Sequence, residues 1–161
     1  MAEFRILQIA SGREINGAVV YCQTLCRELA VRGHHVTQLC RPGSWLTTQP
    51  TLGFSRKEST LKRFPPGEVR ALAKWIRSEG FDLIHTHMSR AHTLGILARW
   101  HVDIPVVATA HNQYFQLHWR LNDFVIANSQ STADFHSRVN RVPRHKIMPI
   151  FCLIDHKRFL S

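Results

Sequence analysis

The sequence predicts an α/β fold: a Rossmann-like, open, mostly parallel sheet with helices on both faces. Three observations lead there. Short apolar runs alternate with amphipathic stretches along nearly the whole chain. The first two runs are joined by a glycine-bearing loop and a helical pattern, a βαβ unit whose crossover makes its strands parallel. The chain has 161 residues, 44% of them hydrophobic and 20% charged, enough for one domain to bury a full core without staples.

The elements follow in order. Phe4 to Ala10 (FRILQIA) reads as a buried strand ending at Ser11-Gly12. After a polar loop, Ala18, Val19, Cys22, Leu25, Cys26, Leu29 and Ala30 recur at three and four, giving a helix that Gly33 stops. His35 to Cys40 is the second strand, closed by Pro42-Gly43. Residues 44–66 are less regular: Ser44-Trp45-Leu46 suits the start of a short helix, and 51–59 suits one strand or none. Pro65-Pro66-Gly67 opens a helix with Val69, Leu72, Ala73 and Ile76 facing inward. Phe81 to His87 is a third clear strand, 89–100 a helix, and Pro105 to His111 a fourth strand entered through proline. Residues 112–121 suit either a loop or a short helix. Asp123 to Asn128 is a fifth strand, and 129–139 a helix opened by the capping string Ser-Gln-Ser-Thr. Lys146 to Phe151 is the last strand, interrupted by Pro149.

Charge narrows the partners. Lys and Arg number 21 against 11 acids, a formal balance of +10, which favours anionic partners such as phosphorylated small molecules or acidic lipid surfaces. The cations are scattered singly, without a basic arm or reading helix, so nucleic acid is not an expected partner. Cys22, Cys26, Cys40 and Cys152 form no CxxC pair and read as reduced, buried thiols. No apolar run is long enough to span a bilayer and Met1-Ala2-Glu3-Phe4-Arg5 does not begin a secretory signal, so the cytoplasm is the expected compartment.

In such sheets ligands sit beyond the carboxyl ends of the strands. Four places satisfy that rule and should crowd one edge: the 11–17 loop, His85-Thr86-His87, His111-Asn112 and Asn128-Ser129. The first loop leads into a helix N-terminus, where free N–H groups and a positive dipole end suit phosphate. Gly12 and Gly17 make neither GxGxxG nor a Walker A motif, so a tight turn without ligand competes with that reading. His111 at a strand end suits a general base or hydrogen-bond donor. His85 and His87 share one face of their strand, and structural or substrate-lining roles outweigh a metal there. No nucleophile elbow or carboxylate pair for glycoside hydrolysis stands out. Tyr114, Phe115 and Trp119 suit an acceptor groove, a membrane contact or the core.

Taken together, several strings resemble the N-terminal domain of family 4 (group 1) glycosyltransferases of the GT-B fold. They are RILQIASGREINGAVVYCQTLCRELAVRGHHVTQLCRPGSWL, FDLIHTHMSRAHTLGILARWHVDIPVVATAHN, DFVIANSQSTADFH and IMPIFCLIDHKRF, the last with Asp155 and Phe159 in the register of the family's interdomain connector. The resemblance implies two Rossmann-like domains across a cleft, with the acceptor on the N-terminal one and the nucleotide sugar on the other. It assigns Gly17, with Asn16, to the donor diphosphate and His111 to the reacting sugar. His85, His87, Asn112, Asn128 and Ser129 are the remaining substrate-binding candidates. It also implies retention of configuration, hexosyl transfer from a nucleotide diphosphate sugar to a hydroxyl, no metal or separate cofactor, a place in polysaccharide or lipopolysaccharide synthesis, and peripheral contact with an anionic inner membrane face. The chain departs from the family in carrying Asn16-Gly17 for Gly-Gly and Cys152-Leu153-Ile154 ahead of Asp155 for the usual Asn-Gly turn. The expected organisation is an acceptor-side domain over 1–151 and the start of a connector over 152–161, leading to a donor-binding domain beyond the sequence. The 161-residue chain is accordingly expected to be inactive alone, and a bare cleft is compatible with a homodimer. A non-catalytic Rossmann-like module for a nucleotide, polyanion or protein partner is the alternative. The common expectation is that Gly17, His85 and His111 meet at one pocket rim.

Overall fold

A computed structural model describes residues 2–63 and 66–151; the expected connector, 152–161, with Cys152, Asp155 and Phe159, lies outside the described residues. The elements are β1 (Arg5–Ala10), α1 (Gly17–Val31), β2 (His35–Cys40), β3 (Ser55–Glu58), α2 (Pro66–Glu79), β4 (Leu83–His87), α3 (Ser89–Arg99), β5 (Val106–Ala110), β6 (Phe124–Ala127), α4 (Gln130–Arg138) and β7 (Ile147–Pro149). The seven strands form one sheet in the order β3-β2-β1-β4-β5-β6-β7. Every pairing among them is parallel. The order runs outward in both directions from the β1–β4 boundary, which creates a crevice at the carboxyl ends of those two strands.

The helices take opposite faces for a reason visible in the strands' alternation. Leu7, Ile9, Leu39, Ile84 and Val106 point to the α2–α3 side and form the larger apolar cluster with Val69, Ala73, Ile76, Leu94 and Ala98. Each fully buried aliphatic chain there contributes about 1.5–3 kcal/mol. Gly95 lets α3 approach closely: a Cβ there would stand 2.7 Å from Thr86 Cγ2. The face under α1 carries Val36 and Cys40 against Val19, Cys22 and Cys26. The same face carries a polar layer, Gln8, Gln38, His85, His87 and Thr109, all buried. The runs FRILQIA and FDLIHTH are therefore not apolar on both faces; one face of each carries side chains that must be hydrogen-bonded.

The ambiguous stretches resolve by burial. Residues 51–59 hold the short, mostly exposed edge strand β3, and 45–48 a single 3₁₀ turn. Residues 112–121 are a loop followed by a 3₁₀ turn over Leu117–Leu121. The three aromatics of this segment part company: Trp119 is 2% exposed and belongs to the core, whereas Tyr114 and Phe115 are 63% and 62% exposed. Cys22, Cys26 and Cys40 are free, buried thiols, and burial raises Cys26 and Cys40 above the ordinary thiol range. Glycines in left-handed backbone terminate α1 (Gly33, φ 88°) and α2 (Gly80, φ 65°). Among the described residues no helix is long and apolar enough to cross a membrane.

Candidate functional site

The site begins where β1 ends. Ser11 and Gly12 stay buried, and a Cβ on Gly12 would fall 2.6 Å from Val19 Cγ1 and 2.8 Å from Met88 Sδ. Ser11 Oγ accepts from the Ala91 N–H, tying the first loop to the start of α3. Asn16 is the N-cap of α1: its Oδ1 accepts from Ala18 N–H (3.0 Å) and Val19 N–H (3.2 Å). That side-chain oxygen is thus committed to the helix. The Gly17 N–H has no acceptor among the described residues, and a Cβ on Gly17 would meet nothing within 4 Å. An unpartnered amide at the positive end of a 15-residue helix, bordering open space, is what an anion needs.

β4 delivers Met88 in left-handed backbone (φ 75°), strain for a non-glycine residue, and α3 starts at once. β5 delivers His111. Asn128, after β6, donates from Nδ2 to the His111 carbonyl at 3.2 Å. Asn16, Gly17, Arg90, His111, Asn112 and Asn128 all border one open cavity of about 600 Å³, floored partly by His92 and Trp119. Among the described residues no carboxylate lines it.

Behind His111 lies a chain of polar contacts through the layer under α1. With the Gln8 carboxamide as oriented in the structure, its Nε2 donates to His85 Nδ1 (3.3 Å) and its Oε1 accepts from His87 Nε2–H (2.8 Å). His85 Nε2–H then donates to Thr109 Oγ1 at 2.7 Å, and His87 Nδ1 faces His111 Nε2 at 3.4 Å. This arrangement makes His111 the donor to His87 and leaves its Nδ1 lone pair free. The Tyr21 ring packs edge-on against His111. Burial, then the neighbouring His111, pushes His85 down to about 3, and burial pushes His111 down to about 4, so both rings are neutral at pH 7. Burial and the surrounding imidazoles hold His87 well below its ordinary value too.

A second polar group holds the outer wall. His136 Nε2–H donates to the Asn112 carbonyl (2.9 Å), and Asn140 Nδ2 donates to His136 Nδ1 (2.8 Å) and to the Tyr114 carbonyl (2.9 Å). Asn140 Oδ1 accepts from the Gln116 N–H at 2.7 Å. The loop after His111 is therefore pinned by α4, and Trp119 fills the space between His92 and His136.

Of the residues singled out from sequence, the structure brings Asn16, Gly17, His111, Asn112 and Asn128 to one cavity. His85 and His87 do not join them on its wall. At 4% and 0% exposure they stand behind His111, so the common rim joins Gly17 to His111 without His85, and the strand's alternation is the reason. Ser129 also lies off the wall and caps α4, its Oγ accepting from the Thr132 N–H. Sequence reasoning did not single out Arg90, His92, His136, Asn140 or Gln8, and took Ser11 only as part of the 11–17 loop. Gln8, a lone amide in an apolar run, was the one with a legible signal.

Comparison with known proteins adds the following. The sequence profile described as Glycosyltransferase Family 4 matches residues 15–158. A phosphatidyl-myo-inositol mannosyltransferase of Mycolicibacterium smegmatis is 41% identical over 49 residues, 30% of this chain and 13% of that protein. A glycosyltransferase from Rickettsia africae superposes with a TM-score of 0.78 at 16% identity, over 94% of this chain and 43% of the other. HepE from Anabaena, solved in complex with UDP and glucose, gives 0.75 at 17% identity over 96% and 46%. At such identities these two likenesses establish a shared fold. The chain spans less than half the length of either solved protein.

Proposed function

Because the chain belongs to Glycosyltransferase Family 4, we propose that it is the acceptor-side domain of a retaining hexosyltransferase. The enzyme would move the sugar from a nucleotide diphosphate donor to a hydroxyl acceptor. The observation that carries this reading is the meeting of the free Gly17 amide and the neutral His111 ring, from two strand ends, on one open cavity. The Gly17 N–H at the end of α1 would hold a donor phosphate oxygen. His111, pushed down to about 4, is too weak a base to take an acceptor proton at neutral pH. Its free Nδ1 is better suited to accept from a hydroxyl of the transferred sugar, and Gln8 and His87 would keep that nitrogen unprotonated.

Among the described residues no carboxylate lines the cavity, and its histidines His92 and His111 are held low, which supports little or no turnover by this chain alone. The UDP and glucose bound by HepE support a nucleotide sugar as donor. We place the protein in the cytoplasm. The exposed Tyr114, Phe115 and Leu117, together with the basic surface, support contact with an anionic membrane face.

Two measurements test this. Reading the gene past the Ser161 codon is expected to reveal a second βα-rich domain, and that longer product should transfer radiolabelled hexose from a nucleotide sugar such as UDP-glucose. His111→Ala in it should lower kcat by about 10- to 1,000-fold with the fold intact. Steady turnover by the 161-residue chain alone would refute the claim of inactivity. A stable, folded 161-residue product in native cells, with no transfer from any nucleotide sugar, would leave the non-catalytic binding module as the reading.

A further inference from the structure

Three arginines stand on the cavity's edge of the sheet, one beyond the carboxyl end of each of three neighbouring strands. Arg41 directly follows β2, Arg13 lies three residues past the end of β1, and Arg90 three residues past the end of β4. Those strands are adjacent in the order β2-β1-β4. With strands about 4.8 Å apart, the three segments leave the sheet within about 10 Å of one another.

Their charges are not neutralised. Arg27, Arg32 and Arg99 each meet a carboxylate. By contrast, the guanidinium groups of Arg13, Arg41 and Arg90 have no hydrogen bond or ion pair among the described residues, although Glu14 and Glu58 are near in the chain or the sheet. Arg13 and Arg41 contribute only their carbonyls, to Trp45 N–H and Ser44 N–H. Partial burial, and then repulsion from Arg13 and Arg90, lower Arg41 from the ordinary arginine range. Three cations that feel one another without a counter-charge are held at an electrostatic cost that an anion between them would remove. Two further donors face the same edge. Met88 provides no side-chain cap to α3, and the Ser89 and Arg90 amides have no acceptor among the described residues. Arg90 itself borders the cavity, so the cluster is continuous with the site.

We infer that Arg13, Arg41 and Arg90 form a phosphate-binding subsite for the acceptor. This rests on the transferase reading above. Phosphate matches the cluster because its several oxygens take bidentate contacts from more than one guanidinium at once. The donor diphosphate is the less suitable occupant: its amide, Gly17, needs no help from Arg41, which projects from the strand on the far side of β1 from His111. In the order β2-β1-β4-β5, a group held by the arginines lies two to three strand spacings, about 10–14 Å, from the β5 end that carries His111. That distance suits an acceptor anchored by its phosphate with a hydroxyl presented at the sugar. The phosphate can belong to a soluble sugar phosphate or to a lipid headgroup.

The 161-residue chain is titrated at low salt with glucose 6-phosphate, with glucose as the neutral control, followed by amide NMR. In parallel it is sedimented with phosphatidylglycerol vesicles and with phosphatidylcholine vesicles. The double variant Arg13→Gln/Arg41→Gln is expected to weaken at least one phosphate probe by about 10-fold or more. Arg27→Gln/Arg32→Gln, which removes two arginines already paired, should change neither by more than about 2-fold. Loss of glucose 6-phosphate identifies a soluble acceptor, and loss of phosphatidylglycerol vesicles alone identifies a lipid headgroup. Equal binding of both probes by wild type and Arg13→Gln/Arg41→Gln overturns the subsite, as does wild type binding neither. The two readings separate cleanly: His111→Ala should leave phosphate affinity unchanged, and absence of sugar transfer by the longer protein would sink the transferase reading while phosphate binding persists.

Discussion

Acidification from pH 8 to about pH 5 should remove a large part of the molecule's stability, and the buried histidines set the size of the effect. His85 is pushed down to about 3 in the fold, against about 6.5 in an unfolded chain. Its folded value is the lower one, so unfolding takes up a proton. The stability it confers is complete above about pH 6.5 and is lost as the pH falls towards 3. Within that window the slope is about 1.4 kcal/mol per pH unit, so His85 alone removes about 2 kcal/mol by pH 5. His87 and His92 are shifted in the same direction, by burial first and by neighbouring imidazoles second. His111, pushed down to about 4 by burial, removes about 2 kcal/mol more, so that it and His85 together cost about 4 kcal/mol by pH 5, a large part of a domain's stability. The window lies above the ordinary carboxylate range, so histidines dominate it. Urea unfolding followed by tryptophan fluorescence, with Trp119 as the buried reporter, should show a midpoint that falls steeply below pH 6.5, with about one proton taken up at each of His85 and His111. His85→Gln should reduce that uptake by about one. A midpoint that stays level between pH 8 and 5 would refute the assignment of these rings as buried and neutral.

Three further outcomes follow from the packing. Gly95→Ala places a Cβ 2.7 Å from Thr86 Cγ2 and 3.3 Å from Val106 Cγ1; overpacking α3 against the sheet should cost about 1–3 kcal/mol and lower Tm by several degrees in calorimetry. Asp123 accepts from both the Val106 N–H (2.8 Å) and Arg99 (2.6 Å), so Asp123→Ala should cost about 1–3 kcal/mol while Arg99→Ala costs less than about 1. Equal losses in urea titrations would show that the strand-end amide does not matter. Asn140→Ala strips partners from Gln116 N–H, the Tyr114 carbonyl and His136 Nδ1; faster amide exchange at Gln116 is the expected sign of a loosened outer wall.

Legibility in the sequence followed the range of the interaction. β2, His35–Cys40, was readable to the residue because Gly33 before it and Pro42-Gly43 after it are local stops. Asn16 and Gly17 were readable as the end of a loop that leads into a helix from Ala18, but the use of Asn16 Oδ1 as cap, with the helix starting at Gly17, was not, because a polar loop offers several such residues. Trp119 and Phe115 are four apart in one aromatic string, and nothing within that string tells that one fills the core and the other faces solvent. Ser129 looked like a strand-end ligand group because a capping serine and a ligand serine occupy the same place in a strand–helix step.

The sequence by itself determined the alternation of strands and helices, the parallel sense of the sheet and the residues standing at each strand's carboxyl end. These depend on periodicity and turn chemistry within a few residues. Only the tertiary structure decided that Gln8, 79 positions from His87, meets it beneath His111, and that arginines beyond three separate strands share one edge. Those meetings depend on register between distant strands, where a shift of one residue would turn every side chain to the opposite face.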